Sequence, residues 1–353
     1  MNREQRLQQF ETYLQSNVGV IDGAMGTSIQ QLKLSEAEFR GDRLADWPTL
    51  LQGNNDLLNL TRPDAIRQIH QSFFRAGADL IETNTFNATS ISQMDYGLQE
   101  LAPEIAEAGA RIAREVADEW QQLHQKRHTM VAGAMGPLSK TLSLSPKVED
   151  PGFREVTFAQ VQKAYFDQAR AMLPFVDFLI IETVFDTLNA KAAIVAVQEA
   201  MSETNMKIPL IISGTITDSS GRTLSGQTTE AFWISIAHAK PWAVGLNCAL
   251  GAKEMRPHIA DIARIADCRI IAFPNAGLPN EFGEYDETPD TTSKHLSEWA
   301  RDGLVNLVGG CCGTNEQHIE AIVDALADIT PRKMIPQPIA LRLSGLEPFS
   351  LGN

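Results

Sequence analysis

The stretch Val176-Asp-Phe-Leu-Ile-Ile-Glu182 is an apolar run that ends in a carboxylate, and a helical pattern over residues 188–201 follows it. Continuous apolar runs of this length are typical of strands that are buried on both faces, as in a parallel sheet. Parallel strands need a long crossover connection, which a helix usually provides. The stretch therefore predicts one strand–helix unit of an α/β protein.

The same unit recurs along the whole chain. The apolar runs cover residues 18–22, 79–83, 130–134, 176–182, 209–213, 243–247, 269–273 and 305–308. The helical patterns cover residues 63–74, 104–123, 158–173, 188–201, 229–238, 252–266, 291–301 and 317–326. The first of these has a proline at its start, at Pro63, and apolar residues at helical spacing, at Ile66, Ile69 and Phe73. Eight alternating units without a dinucleotide-binding glycine fingerprint predict a (β/α)8 TIM barrel, with a doubly wound sheet as the alternative.

Bulk composition excludes several classes of protein. The 353 residues are 43% hydrophobic and 21% charged, which predicts a sizeable core and argues against disorder. A net charge of −14 argues against binding to nucleic acid or to an anionic membrane surface. No apolar run reaches the length of about 18 residues that a membrane span needs. Four cysteines in a chain of this length and a polar amino terminus predict a reducing, cytoplasmic location.

Two segments lie outside the repeat. Residues 34–60 form a long polar insertion after the first predicted strand, where the loops of a barrel build the walls of an active site. Residues 331–353 are interrupted by prolines and show no strand or helix period, so we expect an extended tail or linker there. The predicted organisation is a single barrel domain over residues 1–330 followed by this tail.

Three cysteines follow two of the predicted strands. Cys248 ends the sixth run, and Cys311 and Cys312 lie in Gly309-Gly-Cys-Cys-Gly313 after the eighth. Adjacent cysteines bridge only through a strained ring, so a disulfide is the weaker interpretation of the pair. Three thiolates suit zinc and leave one position of a tetrahedral site open, which marks a reactive site. The alternative, cysteines used as small apolar residues, explains one cysteine better than the cluster; Cys268, at a helix end, fits that role.

A zinc ion with three thiolates carries a net charge near −1, which makes it a mild Lewis acid. Such a site is better suited to holding a fourth thiolate than to activating water. A free thiol with a pKa of about 8.5 is only a few per cent ionised at pH 7, so the metal would supply the nucleophile. The expected reaction is alkylation at sulfur, with a methyl group as the simplest electrophile.

Further polar residues end the other predicted strands, and in a TIM barrel all strands end at the face that carries the active site. Asp22 and Glu182 are candidates to pair with a substrate ammonium group. Gly23 and Ala24 beside Asp22 bring backbone N–H groups close enough for a substrate carboxylate. For either carboxylate alone, a strand-end cap or a salt bridge is the alternative. Together with the cysteines, these residues predict a site for an amino-acid thiol.

The motifs are similar to those of a known family. Asp22-Gly-Ala-Met-Gly-Thr27, Glu82-Thr-Asn-Thr-Phe86, Glu182-Thr-Val-Phe-Asp186, Gly245-Leu-Asn-Cys248 and Gly309-Gly-Cys-Cys-Gly313 occur in this order. In this respect the chain resembles the zinc-dependent homocysteine S-methyltransferases. Within them it looks most like the N-terminal homocysteine-binding module of cobalamin-dependent methionine synthase. The resemblance extends over nearly the whole chain.

The resemblance implies specific roles for the residues that end the strands. It makes Cys248, Cys311 and Cys312 the catalytic zinc ligands, with the homocysteine sulfur in the fourth position and Asn275 there when substrate is absent. It assigns Asp22 and Glu182 to the homocysteine amino group. It places Thr83 and Asn84 in the same pocket, and the substrate-binding set is completed by Gly23, Ala24 and Asn247.

The resemblance also implies a methyl donor. Methylcobalamin would transfer its methyl group to homocysteine and give methionine, and the chain stops at Asn353 without folate or cobalamin modules. We therefore expect those modules, or a partner subunit, to supply the cofactor. Betaine or S-methylmethionine as donor is one alternative, and a non-catalytic zinc module that docks partner domains is another. A Schiff-base aldolase is not supported, because no lysine ends a predicted strand.

Overall fold

Short parallel strands pair in a ring within residues 1–125, 127–217 and 220–351, which the computed structural model describes. In these residues the strands of the ring are β1 Gly19–Val20, β2 Leu80–Glu82, β3 Met130–Met135, β4 Phe178–Val184, β5 Leu210–Gly214, β6 Ala243–Gly251, β7 Arg269–Asn275 and β8 Leu307–Val308. Each strand pairs with its neighbour in the chain, β8 pairs with β1, and a bridge between Ile21 and Leu80 joins β1 to β2. The chain is therefore a (β/α)8 TIM barrel, as predicted, and the doubly wound sheet is excluded.

Helices surround the ring. In the described ranges they are α1 Arg3–Tyr13, α2 Met25–Gln31, α3 Glu36–Arg40, α4 Leu58–Thr61, α5 Pro63–Ala76, α6 Ser90–Gln93, α7 Ala102–Leu123, α8 Phe158–Met172, α9 Thr187–Thr204, α10 Thr229–Ile236, α11 Ala252–Ile265, α12 Pro289–Arg301 and α13 Glu316–Ala325. Local signals set their ends: α5 begins at Pro63 and stops before Gly77, whose φ of 108° suits glycine. The predicted helical patterns correspond to α5 and α7–α13. None of the helices in these ranges combines the length and the apolar character that a membrane span requires.

Side chains on the strands alternate between the inside of the barrel and the surrounding helices. Met130, Ala132 and Ala134 of β3 belong to the cluster inside the ring, whereas Val131 and Met135 pack toward the helices. This alternation is the period of a strand, and both faces are apolar because both are buried. The continuous apolar runs of the sequence follow directly from it.

Helix α1 closes the amino-terminal end of the barrel. Phe10 is fully buried in the interior cluster and lies edge-on to Phe178 at the start of β4. Arg6 donates to the buried carboxylate of Asp177 at 2.7 Å, and Arg114 of α7 donates to its other oxygen at 2.9 Å. Because α1 covers this end, the open face of the barrel is the one at the carboxyl ends of the strands.

The tail contains regular structure that the sequence analysis did not identify. Within it, β9 Leu341–Ser344 and β10 Pro348–Leu351 form an antiparallel hairpin. The hairpin is fixed next to α10, where the Thr228 amide donates to Leu346 O at 3.0 Å and Gln227 Nε2 to Gly345 O at 2.8 Å. The sequence predicts only an extended tail here, because the strand in which Leu341 and Leu343 alternate with Arg342 and Ser344 is too short for its period to stand out beside the prolines.

Candidate active site

A cavity of about 910 Å³ opens at the carboxyl ends of the strands. Most of the residues predicted from the sequence line it, namely Asp22, Gly23, Ala24, Thr83, Asn84, Glu182, Cys248, Cys311 and Cys312. They come from the ends of β1, β2, β4, β6 and β8. The barrel therefore brings together side chains that are up to 290 residues apart, from Asp22 to Cys312 (312 − 22 = 290).

Three cysteine sulfurs converge on one side of this cavity. The Sγ atoms of Cys248, Cys311 and Cys312 all lie within 4.8 Å of one another, and those of Cys248 and Cys312 are 3.8 Å apart. Two sulfurs at about 2.3 Å from a tetrahedral zinc ion are separated by about 3.8 Å, so the spacing fits a shared zinc ion. An all-sulfur donor set of this kind favours zinc over harder cations. The predicted convergence of β6 and β8 is thus present in the structure.

The backbone of β6 directs Cys248 toward the other two sulfurs. Cys248 and Ala249 have φ values of 60° and 57°, in the left-handed region that residues with a Cβ rarely adopt. The pairing of β6 with β7 shifts register between Asn247 and Gly251 at the same point. Such strain persists only where the surrounding structure holds it, and it is concentrated at functional sites.

The two adjacent cysteines are held by the neighbouring strands. The Cys311 amide donates to Pro274 O at 2.8 Å, and the Ala276 amide donates to Cys312 O at 2.9 Å. These two bonds fix the backbone of the pair to the end of β7. The flanking Gly309 lies against β1, where a Cβ would be 2.5 Å from Ile21 O and 2.9 Å from Asp22 O. The glycine is therefore required by the close approach of two strands.

We expect Gly309→Ala to destabilise the protein and to reduce its metal content. The added methyl group meets backbone oxygen atoms of β1, which have no freedom to rotate away, so the free energy of unfolding should fall by about 1–3 kcal/mol. Urea unfolding measures the first effect and zinc analysis after dialysis the second. Gly152→Ala is the control, since its nearest neighbour is a side-chain oxygen 3.6 Å away. Equal stability of the two variants would contradict the argument.

Hydrogen bonds among the three thiols shift their pKa values in different directions. Hydrogen bonds from Cys248 and Cys311 lower the pKa of Cys312 to about 3. Hydrogen bonds with Cys248 and Cys312 instead raise the pKa of Cys311 well above its ordinary value. Hydrogen bonds within the cluster thus favour the thiolate form of Cys312, and a thiolate is the form that binds zinc.

The opposite side of the cavity carries buried carboxyl groups. Asp22 and Glu182 are 2% and 5% exposed, and Glu82, which the sequence analysis did not assign to the site, lies beside them. Burial raises the pKa of Glu82 to about 8, and burial followed by repulsion from Glu82 raises those of Asp22 and Glu182 well above the usual range. Lys33 is the only lysine or arginine among the described residues that line the cavity, and it is exposed. This side of the cavity therefore favours a cation.

Two of the predicted pocket residues, Thr83 and Asn84, also connect elements of the barrel through hydrogen bonds. Thr83 Oγ1 accepts a hydrogen bond from the Ala134 amide at 2.9 Å and so ties β2 to β3. Asn84 Nδ2 donates to Asn55 O at 2.8 Å and to Asn59 Oδ1 at 3.0 Å, which anchors the insertion of residues 34–60. Both side chains face the cavity from positions that these bonds fix.

The remaining two predicted residues do not line the cavity. Asn247 is fully buried behind it and accepts hydrogen bonds from the Thr183 amide at 3.0 Å and from Ser213 Oγ at 2.7 Å. It thereby supports Thr183, which follows Glu182 with a φ of 54°. Asn275 ends β7 between the two residues that hold the cysteine pair, and its buried Oδ1 accepts no hydrogen bond from the described residues.

The structure adds cavity residues that the sequence analysis did not name individually, although it predicted the insertion over residues 34–60 to form a wall of the site. Asn55 and Asp56 come from the insertion, and Tyr285 comes from the loop after β7. The Asp56 carboxylate accepts from the Asn87 amide at 2.9 Å, and burial raises its pKa to about 7. Asp186, by contrast, begins α9 and accepts from the Leu188 and Ser143 amides, so its role is structural. Loop residues carry no period, so the sequence indicates the insertion as a cavity wall without selecting Asp56 within it, and it gives no signal for Tyr285.

Comparison with known proteins bears on the family and on the fold. A model of the homocysteine S-methyltransferase family matches residues 19–326. The crystal structure of the oxidized form of the homocysteine methyltransferase MmuM from Escherichia coli superposes with a TM-score of 0.69 at 19% identity, over 92% of this chain and 99% of that chain. Its metallated form gives a TM-score of 0.67 at 20% identity, over 91% and 99%. At such identities the structural likeness shows the fold, whereas the family model covers most of the chain. The chain therefore belongs to the homocysteine S-methyltransferase family and is a methyltransferase.

Proposed function

We propose that this chain methylates the thiol of homocysteine with a zinc ion held by Cys248, Cys311 and Cys312, and that methylcobalamin is the methyl donor. The observation that carries the proposal is the set of three sulfurs within 4.8 Å of one another, facing a cavity whose other side carries the buried carboxyl groups of Asp22, Glu82 and Glu182. A zinc ion bound there would act as a Lewis acid that takes the thiol as its fourth ligand and stabilises the thiolate.

The residues opposite the sulfurs would bind the amino-acid part of the substrate. Asp22 and Glu182 accept hydrogen bonds from the ammonium group, and the excess of buried carboxylates favours a cation at this point. The backbone at Gly23 and Ala24 faces the same cavity and receives the substrate carboxylate. Homocysteine is then held at both ends, and its sulfur is oriented toward the cysteines.

The assignment of the donor rests on the sequence motifs, which resemble those of the homocysteine module of cobalamin-dependent methionine synthase. In that arrangement residues 1–330 form the homocysteine-binding barrel, and residues 331–353, whose hairpin lies next to α10, form the connection to the next module. The methyl group would arrive on a cobalamin-binding module or partner subunit, which is recharged by a folate-binding one. Asn275, with its free buried amide oxygen, is the group that would face the metal in the absence of substrate.

X-ray absorption at the zinc edge tests the proposal directly. The purified protein should show about three sulfur neighbours around zinc, and addition of homocysteine should raise the number to about four. Methionine as a control ligand carries no thiol and should leave the sulfur count unchanged. A site with four protein ligands that does not respond to homocysteine would contradict the proposal and would favour a non-catalytic zinc module.

Assays with different donors test the methyl source. With homocysteine as acceptor, we expect methionine formation from free methylcobalamin and none from betaine or S-methylmethionine. The product is measured by mass spectrometry with a deuterated methyl group. Turnover with betaine or S-methylmethionine, and none with methylcobalamin, would show that the homocysteine sulfur is methylated but that the proposed methyl donor is wrong.

A further inference from the structure

The loop between β7 and α12, residues 276–288, brings an aromatic side chain to the sulfur cluster. Tyr285 lines the same cavity as Cys248, Cys311 and Cys312, although it lies in a different loop from each of them. The side chains of Tyr285 and Cys312 lie close enough to interact. The tyrosine hydroxyl is an uncharged hydrogen-bond donor, whereas the other side of the cavity presents buried carboxyl groups to the sulfurs.

Glycine at position 313 makes this placement of Tyr285 possible. A Cβ on Gly313 would lie 2.6 Å from Cγ of Tyr285, so the tyrosine ring packs directly on the backbone that follows Cys312. Gly313 also has a φ of 83°, and its amide donates to Thr27 Oγ1 at 3.0 Å. The last glycine of the Gly-Gly-Cys-Cys-Gly motif therefore serves a contact with a residue 28 positions earlier in the chain (313 − 285 = 28).

The end of the loop that carries Tyr285 is firmly anchored. Two residues later, the Glu287 amide donates to Ala276 O at 3.2 Å, and Ala276 is the residue whose amide binds Cys312 O. Glu287 O is 2.9 Å from Nε2 of His318, and Glu287 Oε1 accepts from Thr292 Oγ1 at 2.7 Å. The tyrosine is thus held by the same backbone connections that hold the cysteine pair.

We propose that Tyr285 is a positioning residue for the metal centre: its hydroxyl donates a hydrogen bond to Cys312 Sγ, and its ring covers that side of the sulfur cluster. This inference rests on the proposed zinc site. A hydrogen bond to a metal-bound thiolate fixes the orientation of the sulfur and withdraws electron density from it. Hydrogen bonds of this kind from groups around a metal typically change metal affinity by about 10–100-fold.

The test is Tyr285→Phe in the full chain, which keeps the ring and removes only the hydroxyl. We expect zinc affinity, measured by competition with a chromophoric chelator, to fall about tenfold. In the cobalt(II)-substituted protein, the thiolate-to-metal charge-transfer band should move to lower energy, because the sulfur lone pair is no longer stabilised by the hydrogen bond. The band reports on the sulfur itself, and a merely structural role would not move it.

Phe282→Ala is the matched control, because Phe282 lies in the same loop and is 78% exposed. This variant should keep the zinc affinity and the band position of the unmodified protein. A Tyr285→Phe protein with an unchanged band and an affinity within twofold of the unmodified protein would overturn the inference and leave the zinc site intact. If the unmodified protein binds no zinc or cobalt at all, the proposed function fails instead.

Discussion

Replacing Cys311 with alanine is expected to remove the metal and the methyl transfer together. Two remaining thiolates give an incomplete donor set, so the zinc content after dialysis should fall from about one to below about 0.1 per chain. Without the metal the homocysteine thiol is only a few per cent ionised at pH 7 and is not held near the donor, so the rate should fall at least about a thousandfold. Zinc is measured by atomic emission and transfer by methionine formation.

The fourth cysteine provides a control for this variant. Cys268 precedes β7 at the opposite end of the barrel, and its carbonyl accepts a hydrogen bond from Arg332 at 3.0 Å. Cys268→Ala removes one sulfur from the chain and should keep both zinc and turnover. A Cys311→Ala protein that remains active without zinc would refute the proposed function.

Replacing Glu182 with glutamine should weaken the binding of homocysteine selectively. The amide has the same shape but no charge, so one charge-assisted hydrogen bond to the ammonium group becomes a neutral one. Charge-assisted bonds contribute about 1.5–3 kcal/mol and neutral ones about 0.5–1.5 kcal/mol, so a loss of about 1–1.5 kcal/mol corresponds to a rise in KM of about 5–13-fold. A thiol that lacks the amino group, 4-mercaptobutanoate, makes no such bond, so the variant should discriminate less between the two thiols.

Steady-state kinetics with both thiols, in the variant and the unmodified protein, measure this effect. Glu284→Gln is the control, because Glu284 lines the same cavity but is exposed to solvent, and its KM for homocysteine should stay within about twofold. An equal loss for homocysteine and 4-mercaptobutanoate would show that Glu182 does not bind the amino group.

The regular part of the fold is predictable because its signals are local. The helix over residues 63–74 is marked by Pro63 and by apolar residues one turn apart, and the structure places α5 at Pro63–Ala76. The run over residues 176–182 predicts the strand found at Phe178–Val184. Because every strand of a TIM barrel ends at the same face, the order of the runs also predicts that Asp22, Glu182 and the three cysteines meet.

The rest depends on geometry that has no sequence period. The left-handed backbone of Cys248 and the register shift in β6 decide where its sulfur points, and neither leaves a pattern in the sequence. Asn247 lies in the same strand next to Cys248, yet it is buried behind the cavity, where its amide oxygen accepts a hydrogen bond from the Thr183 amide. Asp56 and Tyr285 reach the cavity from loops, whose paths are set by tertiary contacts.

Helix α1 covers the amino-terminal end of the barrel, and this has a kinetic consequence. Among the described residues, Phe10 and the Arg6–Asp177 pair fill that end, so we expect reactants and products to exchange through the cavity that opens at the other face. A bulky methyl donor seated on that opening would trap whatever lies beneath it. The acceptor must then enter first and the methylated amino acid leave last, and this fixed order of addition would appear as an ordered sequential pattern in product inhibition.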